Sequence, residues 1–291
     1  MEADVGARRI AVIIPTIGRP NDLRACLESL RREADTSLAQ VIVVDDAATV
    51  PVTLPPDVAG APIHLLRNAV RRGAAYCRNR ALQVVAEGVD AVGFLDDDVR
   101  LCQGWLATAR RELKPTRAAV TGAVRRFDQG IVSRARQLRY DRRYAPLVPG
   151  QAVDFLAGGN AVIWRDMLVG VGGFPDVPTM SDRFLVRRLE ARGGCCHFVP
   201  EMLVLHRNSK GLRVAVREAW RAGLLDDTAL DTPALKRLAT GVREAIVGPQ
   251  PAAALLNVAL DGVYLSGRRR GRLHEARARS RASTTQSAKS A

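Results

Sequence analysis

Three short runs of this chain are apolar at nearly every position, and each stops abruptly at proline or aspartate. Residues 10–14 read Ile-Ala-Val-Ile-Ile before Pro15. Residues 41–44 read Val-Ile-Val-Val before Asp45 and Asp46, and residues 91–95 read Ala-Val-Gly-Phe-Leu before Asp96, Asp97 and Asp98. A strand with one wet face alternates apolar and polar side chains, whereas a strand without alternation is covered on both faces. Between these runs the spacing becomes helical. Leu23, Cys26, Leu27 and Leu30 follow Asn21 and Asp22 at intervals of three and four, and Gly73 opens a second such stretch over residues 74–85. Doubly buried strands alternating with helices predict an α/β domain with a mixed, mainly parallel central sheet flanked by helices. Ligands of such sheets lie beyond the carboxyl ends of the strands. Pro15-Thr16, Asp45-Asp46 and the three acids after Leu95 are therefore expected on one edge.

The same reading adds a short strand at 63–66 and a helix at 104–113, and the pattern changes after 118–124. Residues 125–149 are basic and irregular, expected as a loop or loose helix. Short strands at 153–156 and 161–164 enclose Gly158-Gly159-Asn160. A helix is expected at 181–191, and separate strands at 196–199 and 202–206. Helices at 214–223, 232–247 and 251–265 follow. This divides the chain into a catalytic-type domain at 1–211, a C-terminal helical extension at 212–267 and a basic tail at 268–291, whose Ser/Ala/Arg composition predicts disorder.

Consecutive carboxylates about 4 Å apart repel by roughly 4 kcal/mol at an effective dielectric near 20. A hard divalent cation offsets such repulsion and brings phosphate oxygens with it. Asp96 and Asp98, spaced Asp-x-Asp, thus predict a Mg²⁺ or Mn²⁺ site for a phosphorylated ligand. Composition agrees. Formal net charge is +14, and the positive side chains are almost all arginine, which attracts anions: phosphorylated substrates, acidic membrane surfaces or nucleic acid. The cysteines, at 26, 77, 102, 195 and 196, are odd in number with no Cys-x-x-Cys pair. They read as small buried hydrophobes in a reducing compartment, not as disulfides or a zinc site. The first nine residues lack a signal peptide's apolar stretch, and no apolar run approaches the ~20 residues that span a bilayer. A cytoplasmic location, peripheral at the inner face of the membrane, is expected.

Five landmarks occur in order: Val12-Ile13-Ile14-Pro15-Thr16; Val43-Val44-Asp45-Asp46; Asn68 with Gly73-Ala74-Ala75-Tyr76-Cys77-Arg78-Asn79; Phe94-Leu95-Asp96-Asp97-Asp98; and Gly172-Gly173-Phe174 with Ser181-Asp182 and Arg188-Leu189. On these, residues 9–210 resemble the inverting glycosyltransferases of family 2, which have the Rossmann-like GT-A fold. The resemblance implies non-processive transfer of one sugar from a nucleotide-diphosphate donor, of UDP or dTDP type, to an acceptor hydroxyl or amine. The acceptor would be a glycan, a lipid-linked glycan or a small-molecule precursor. It implies that Pro15 and Thr16 offer backbone contacts to the nucleotide, and that Asp46, with Asp45 as the alternative, accepts the imide N–H of the base. Arg78 reaches the base or the phosphates. Asp96, with Asp97 beside it, belongs to the donor site, Asp98 contacts the Mn²⁺ or Mg²⁺ ion, and His206 adds a metal ligand. Gly159 and Asn160 line the sugar pocket. Asp182 is the catalytic base, and it alone remains of the family's Glu-Asp-x-Asp acids, since the chain reads Ser181-Asp182-Arg183-Phe184.

Two other readings compete. A sugar-phosphate nucleotidyltransferase-like enzyme shares the fold and the acids but needs a Gly-rich loop after the first strand, where Ile17-Gly18-Arg19-Pro20 has one glycine. A non-enzymatic anion- or nucleic-acid-binding protein explains the charge. Aromatics for base stacking make up only 4% of the chain, however, and three acids at the sheet edge repel phosphates. The basic segment at 125–143 and the terminal helix with its tail are expected to face the acceptor or an anionic membrane, and no nucleic-acid partner is expected.

Overall fold

The computed structural model describes residues 8–177, 180–208, 211–226 and 232–289. From the N-terminus the elements are β1 (Ile10–Thr16), α1 (Pro20–Glu33), β2 (Leu38–Asp45), β3 (Asp57–Val58), β4 (Ala61–Arg67), α2 (Ala74–Leu82), β5 (Ala91–Leu95), β6 (Val99–Leu101), α3 (Trp105–Glu112), β7 (Ala119–Arg126), α4 (Ile131–Tyr144), β8 (Ala152–Val153), β9 (Asn160–Trp164), α5 (Arg165–Gly170), α6 (Ser181–Glu190), β10 (Cys196–His206), α7 (Leu212–Leu225), α8 (Thr232–Val247) and α9 (Pro251–Lys289).

The strands form one sheet in the order β3-β4-β2-β1-β5-β9-β7-β10-β6, with β8 also paired to β10. The long central pairings β1 with β2, β1 with β5, β2 with β4 and β7 with β10 are parallel. β9 is inserted antiparallel between β5 and β7. The unbroken apolar runs have the expected cause. Ile10, Val12 and Ile14 pack on the face covered by Leu23, Leu27 and Leu30 of α1 and Trp105 and Leu106 of α3. Ala11 and Ile13 pack on the opposite face, with Ala75 and Ala81 of α2 and Leu185, Val186 and Leu189 of α6. Each buried Leu, Ile or Val contributes about 1.5–3 kcal/mol relative to exposure, so two covered faces make β1 the anchor of the sheet.

The described residues fall into two compact units, one of 8–127 with 140–207 and the other of 128–139 with 208–289. The second unit takes up the chain from residue 208 and also includes residues 128–139, which the expected division placed in the first domain. In that unit Val132, Ala215 and Leu260 form a small core, and Asn257 donates to the Ala135 carbonyl at 2.7 Å. Three expectations change. The irregular basic stretch contains a regular helix, α4, because Val132 and Ala135 give it a buried side. The two strands expected at 196–199 and 202–206 are one strand, β10, with a register shift against β7 between Val199 and Val204. The expected disordered tail continues α9 to Lys289; no proline or glycine follows Gly271, and Arg, Ala and Glu favour helix.

The β10 irregularity has a specific filler. Asn160, at the start of β9, is fully buried. Its amide donates to the carbonyls of Ala123 (2.8 Å) on β7 and Met202 (2.7 Å) on β10, and its oxygen accepts the Trp105 indole N–H (2.7 Å). It crosses β7 at Gly122, where any Cβ would run into the Met202 carbonyl and the Asn160 amide. Asn160→Ala leaves two carbonyls and an indole N–H without partners, at about 1–3 kcal/mol per buried group. Urea unfolding is expected to show a loss of about 3 kcal/mol or more, and Asn160→Asp, which cannot donate to the carbonyls, should not restore it.

Candidate active site

β1, β2 and β5 run parallel, so their carboxyl ends lie together. Thr16 ends β1, Asp45 ends β2, and Asp96, Asp97 and Asp98 follow β5. Pro15 lies within the β1 ladder opposite Val44, and the Thr16 carbonyl accepts the Asp46 N–H at 2.8 Å.

The three acids after β5 face different ways. Asp97 is fully buried: its Oδ2 accepts the Thr16 hydroxyl at 2.6 Å, and Arg19 pairs with both of its oxygens. Burial raises the Asp97 carboxyl above its ordinary value, against the pull of Arg19 and Thr16. Asp96 is partly open and pairs with Arg78 at 2.9 Å. Asp98 is buried, with Oδ2 held by Arg19 and Oδ1 3.1 Å from Nε2 of His206. Sheet pairing brings the histidine there, because β10 runs antiparallel to β6 with His206 opposite Val99, the residue after Asp98. Asp96 Oδ2 lies 4.0 Å from the same nitrogen. Asp96, Asp98 and His206 each present one ligand atom within 4.8 Å of the others. Two carboxylate oxygens and an imidazole nitrogen fit Mn²⁺; Mg²⁺ favours the oxygens.

Asp46 organises the loop after β4. Its Oδ1 accepts Asn68 Nδ2 (2.7 Å) and the Arg72 N–H (2.8 Å), and its Oδ2 accepts the Gly73 N–H (2.8 Å). Burial opposes ionisation, but these bonds win and hold the carboxyl below its ordinary value. The loop so fixed leads into α2, which carries Arg78 and Asn79. The Asn79 side chain bonds both the N–H and the carbonyl of Phe174 (2.8 and 2.7 Å), tying α2 to the Gly172-Gly173-Phe174 turn. Arg78 is buried, 5.2 Å from the centre of the Phe174 ring. Beside Asp45, whose Oδ1 accepts the Ala48 N–H (2.7 Å), a cleft of about 360 Å³ is lined by Ala47, Ala48, Arg67, Asn68 and Ala69.

Asp182 sits in the first turn of α6, whose N-cap is Met180 in the left-handed region (φ 63°). Burial pushes its carboxyl above the ordinary value; helix-start N–H groups and the charges of Arg78 and Arg143 pull the other way. A carboxylate that is partly desolvated and near a buried guanidinium suits proton abstraction.

The structure therefore gathers Thr16, Asp96, Asp98 and His206 at one edge, joined through Arg78 to α2 and Asp46. Asp97 and Asn160 are turned into the frame by their hydrogen bonds, not toward an open pocket. Gly159 permits a close approach, but to a side chain of the chain itself: a Cβ there would lie 2.5 Å from the Asp96 carboxylate. Sequence reasoning passed over Arg19, although an arginine just before the helix-starting Pro20 and just after a ligand-edge strand was the available signal.

The profile of the family described as "Glycosyl transferase family 2" matches residues 11–171. No curated protein matches the chain. Among solved structures, the mannosyltransferase PcManGT from Pyrobaculum calidifontis in complex with GDP-Man and Mn²⁺ is similar at 20% identity and TM-score 0.65, over 92% of this chain and 88% of that one. GalNAc-T7 with UDP, GalNAc and Mn²⁺ is similar at 13% identity and TM-score 0.56, over 87% of this chain and 55% of that one. The 1–349 fragment of S. aureus TarS is similar at 12% identity and TM-score 0.51, over 89% and 92%. These likenesses give the fold as GT-A, with its mixed sheet flanked by helices and a helical C-terminal region.

Gly159→Ala is expected to displace Asp96 while leaving the fold intact. Mn²⁺ titration should show about ten-fold weaker binding or worse, with an unchanged circular-dichroism spectrum.

Proposed function

The chain belongs to glycosyl transferase family 2, and from that membership we propose that it moves a single sugar from a nucleotide-diphosphate sugar to an acceptor hydroxyl or amine with inversion at the anomeric carbon. The observation that carries this reading is the Asp96, Asp98 and His206 group at the carboxyl edge of a parallel sheet, coupled through Arg78 to Asp96 and Asp182.

Donor recognition is divided along that edge. The cleft beside Asp45 and Asp46 takes the base, where a carboxylate acceptor suits the imide N–H of uracil or thymine and favours UDP- or dTDP-type donors. Backbone at Pro15 and Thr16 meets the nucleotide. Arg78 has guanidinium donors beyond the one on Asp96, and such a fork suits diphosphate oxygens. PcManGT and GalNAc-T7 hold nucleotide ligands with Mn²⁺, which supports a metal-assisted donor site by analogy. Asp96, Asp98 and His206 would hold the divalent cation, which would supply charge neutralisation for the departing diphosphate.

Asp182 takes the proton of the acceptor hydroxyl as that oxygen bonds to the anomeric carbon. On the opposite face of the sugar the bond to the diphosphate oxygen breaks and carries its electron pair away. The base must be ionised to act, and burial raises its pKa. The acid limb of turnover is therefore expected above the ordinary aspartate range and should vanish in Asp182→Asn. That variant is expected to keep donor affinity and lose about 10²–10⁴-fold in turnover. Near-normal turnover removes Asp182 from the mechanism. A thermal-shift panel of nucleoside diphosphates with and without Mn²⁺ names the donor: stabilisation by UDP or dTDP only with Mn²⁺ is expected, and stabilisation by GDP alone overturns the base assignment.

Peripheral docking to an anionic membrane is part of the same proposal, and its basis is narrower than the composition suggests. No described helix is long and apolar enough to cross a membrane. Much of the arginine in 125–143 is engaged internally: Arg136 pairs with Glu218, Arg139 bonds Asn257 (2.7 Å) and Asp261 (2.9 Å), and Arg143 lies 4.9 Å from the Phe155 ring centre. Exposed Arg243, Arg269 and Arg270, with exposed Val242, Ile246, Val247 and Leu255 on α8 and α9, remain for contact. Each arginine near anionic lipid contributes about 1 kcal/mol. Co-sedimentation with phosphatidylserine vesicles should fall with salt and with the combined replacement Arg243→Gln, Arg269→Gln and Arg270→Gln; binding insensitive to both overturns the docking.

A further inference from the structure

The loop joining β1 to α1 places an arginine against the acids for which the proposed reaction has no role. Gly18 adopts a left-handed conformation (φ 86°), and a Cβ there would lie 2.7 Å from that of Ala48. The loop is thus set against the chain after β2. Pro20 follows in the first turn of α1, and Arg19 stands at the N-cap without capping through its side chain. Its guanidinium turns back to β5 instead. It pairs through Nη2 and Nε with the two oxygens of Asp97 (Nε to Oδ2, 3.3 Å) and through Nη1 with Oδ2 of Asp98.

The arrangement is layered. Thr16 fixes Asp97 at 2.6 Å. Asp97 is buried and grips the guanidinium along two N–H directions, as the planar fork of arginine permits and a lysine ammonium does not. The guanidinium then holds one oxygen of Asp98. The other oxygen, Oδ1, faces His206 at 3.1 Å, on the side from which Asp96 approaches. Resting on the cation-site reading above, we propose that Arg19 is a positioning residue for the metal. It locks the Asp98 carboxylate so that a single chosen oxygen is offered to the cation, with Asp97 and Thr16 as its foundation. Asp97 accordingly serves the site from behind instead of touching the donor.

Charge and geometry predict opposite outcomes. By charge alone, a guanidinium beside a cation site repels the cation, and removing it tightens binding. By positioning, removal frees Asp98 to rotate and weakens binding; loss of an outer partner of a metal ligand typically costs 10–100-fold in affinity. The test is titration of the full chain with Mn²⁺ alone, followed by the electron paramagnetic resonance signal of free Mn²⁺, for the unaltered protein and for Arg19→Gln, Arg19→Lys and Asp98→Asn. Both Arg19 variants are expected to bind Mn²⁺ about 10–100-fold more weakly, with far-ultraviolet circular dichroism unchanged, and Asp98→Asn to lose binding. Arg19→Lys keeps the charge and loses only the fork, so it carries the test alone if Arg19→Gln fails to fold. Tighter binding in Arg19→Gln, or unaltered binding in Arg19→Lys, overturns the role of Arg19 while Asp98→Asn still verifies the site. Absence of Mn²⁺ binding by the unaltered protein overturns the cation site and this role together.

Discussion

Three consecutive carboxylates at one strand end repel one another by about 4 kcal/mol per pair at 4 Å and an effective dielectric near 20, and two of the three, Asp97 and Asp98, are fully buried. The structure meets that repulsion with partners drawn from three separate elements. Arg78 on α2 takes Asp96, Arg19 before α1 takes Asp97 and one oxygen of Asp98, and His206 on β10 faces the other. The rest of the site follows from supplying these partners. α2 must begin at Gly73 for Arg78 to arrive, and Asp46 fixes that start by accepting the Arg72 and Gly73 N–H groups. β10 must reach β6 for His206 to arrive, and its passage past β7 requires the register shift that Asn160 fills.

Much of this frame was legible in the sequence because it rests on periodicity. Non-alternating apolar runs announce β1, β2 and β5, and their ends place Thr16, Asp46 and the acids on one edge. Landmarks that are local in sequence survived equally well; Asn79, for example, ties its own helix to the Gly172-Gly173-Phe174 turn that follows more than ninety residues later. What escaped was the assignment of side chains to inside or outside where three polar residues stand in a row. Asp96, Asp97 and Asp98 look equivalent in sequence, yet the turn after β5 sends Asp97 toward Thr16 and leaves Asp96 open. Asn160 beside two glycines resembled a ligand contact because a buried amide bridging three elements leaves no local pattern. The extent of α4 and α9 was missed for a related reason: an arginine-rich helix has almost no apolar stripe, and α4 is fixed by only a few buried positions.

The single acid at Ser181-Asp182 becomes intelligible once its surroundings are known. A cluster of carboxylates raises the pKa of a base by mutual repulsion. Asp182 reaches the same direction by burial alone, with Arg78 and Arg143 limiting the rise. A raised pKa at this position therefore does not require the neighbouring acids. Arg78 has a double part in this: it pairs with Asp96 beside the candidate cation site, and its charge opposes the effect of burial on Asp182, so one buried guanidinium faces both acids.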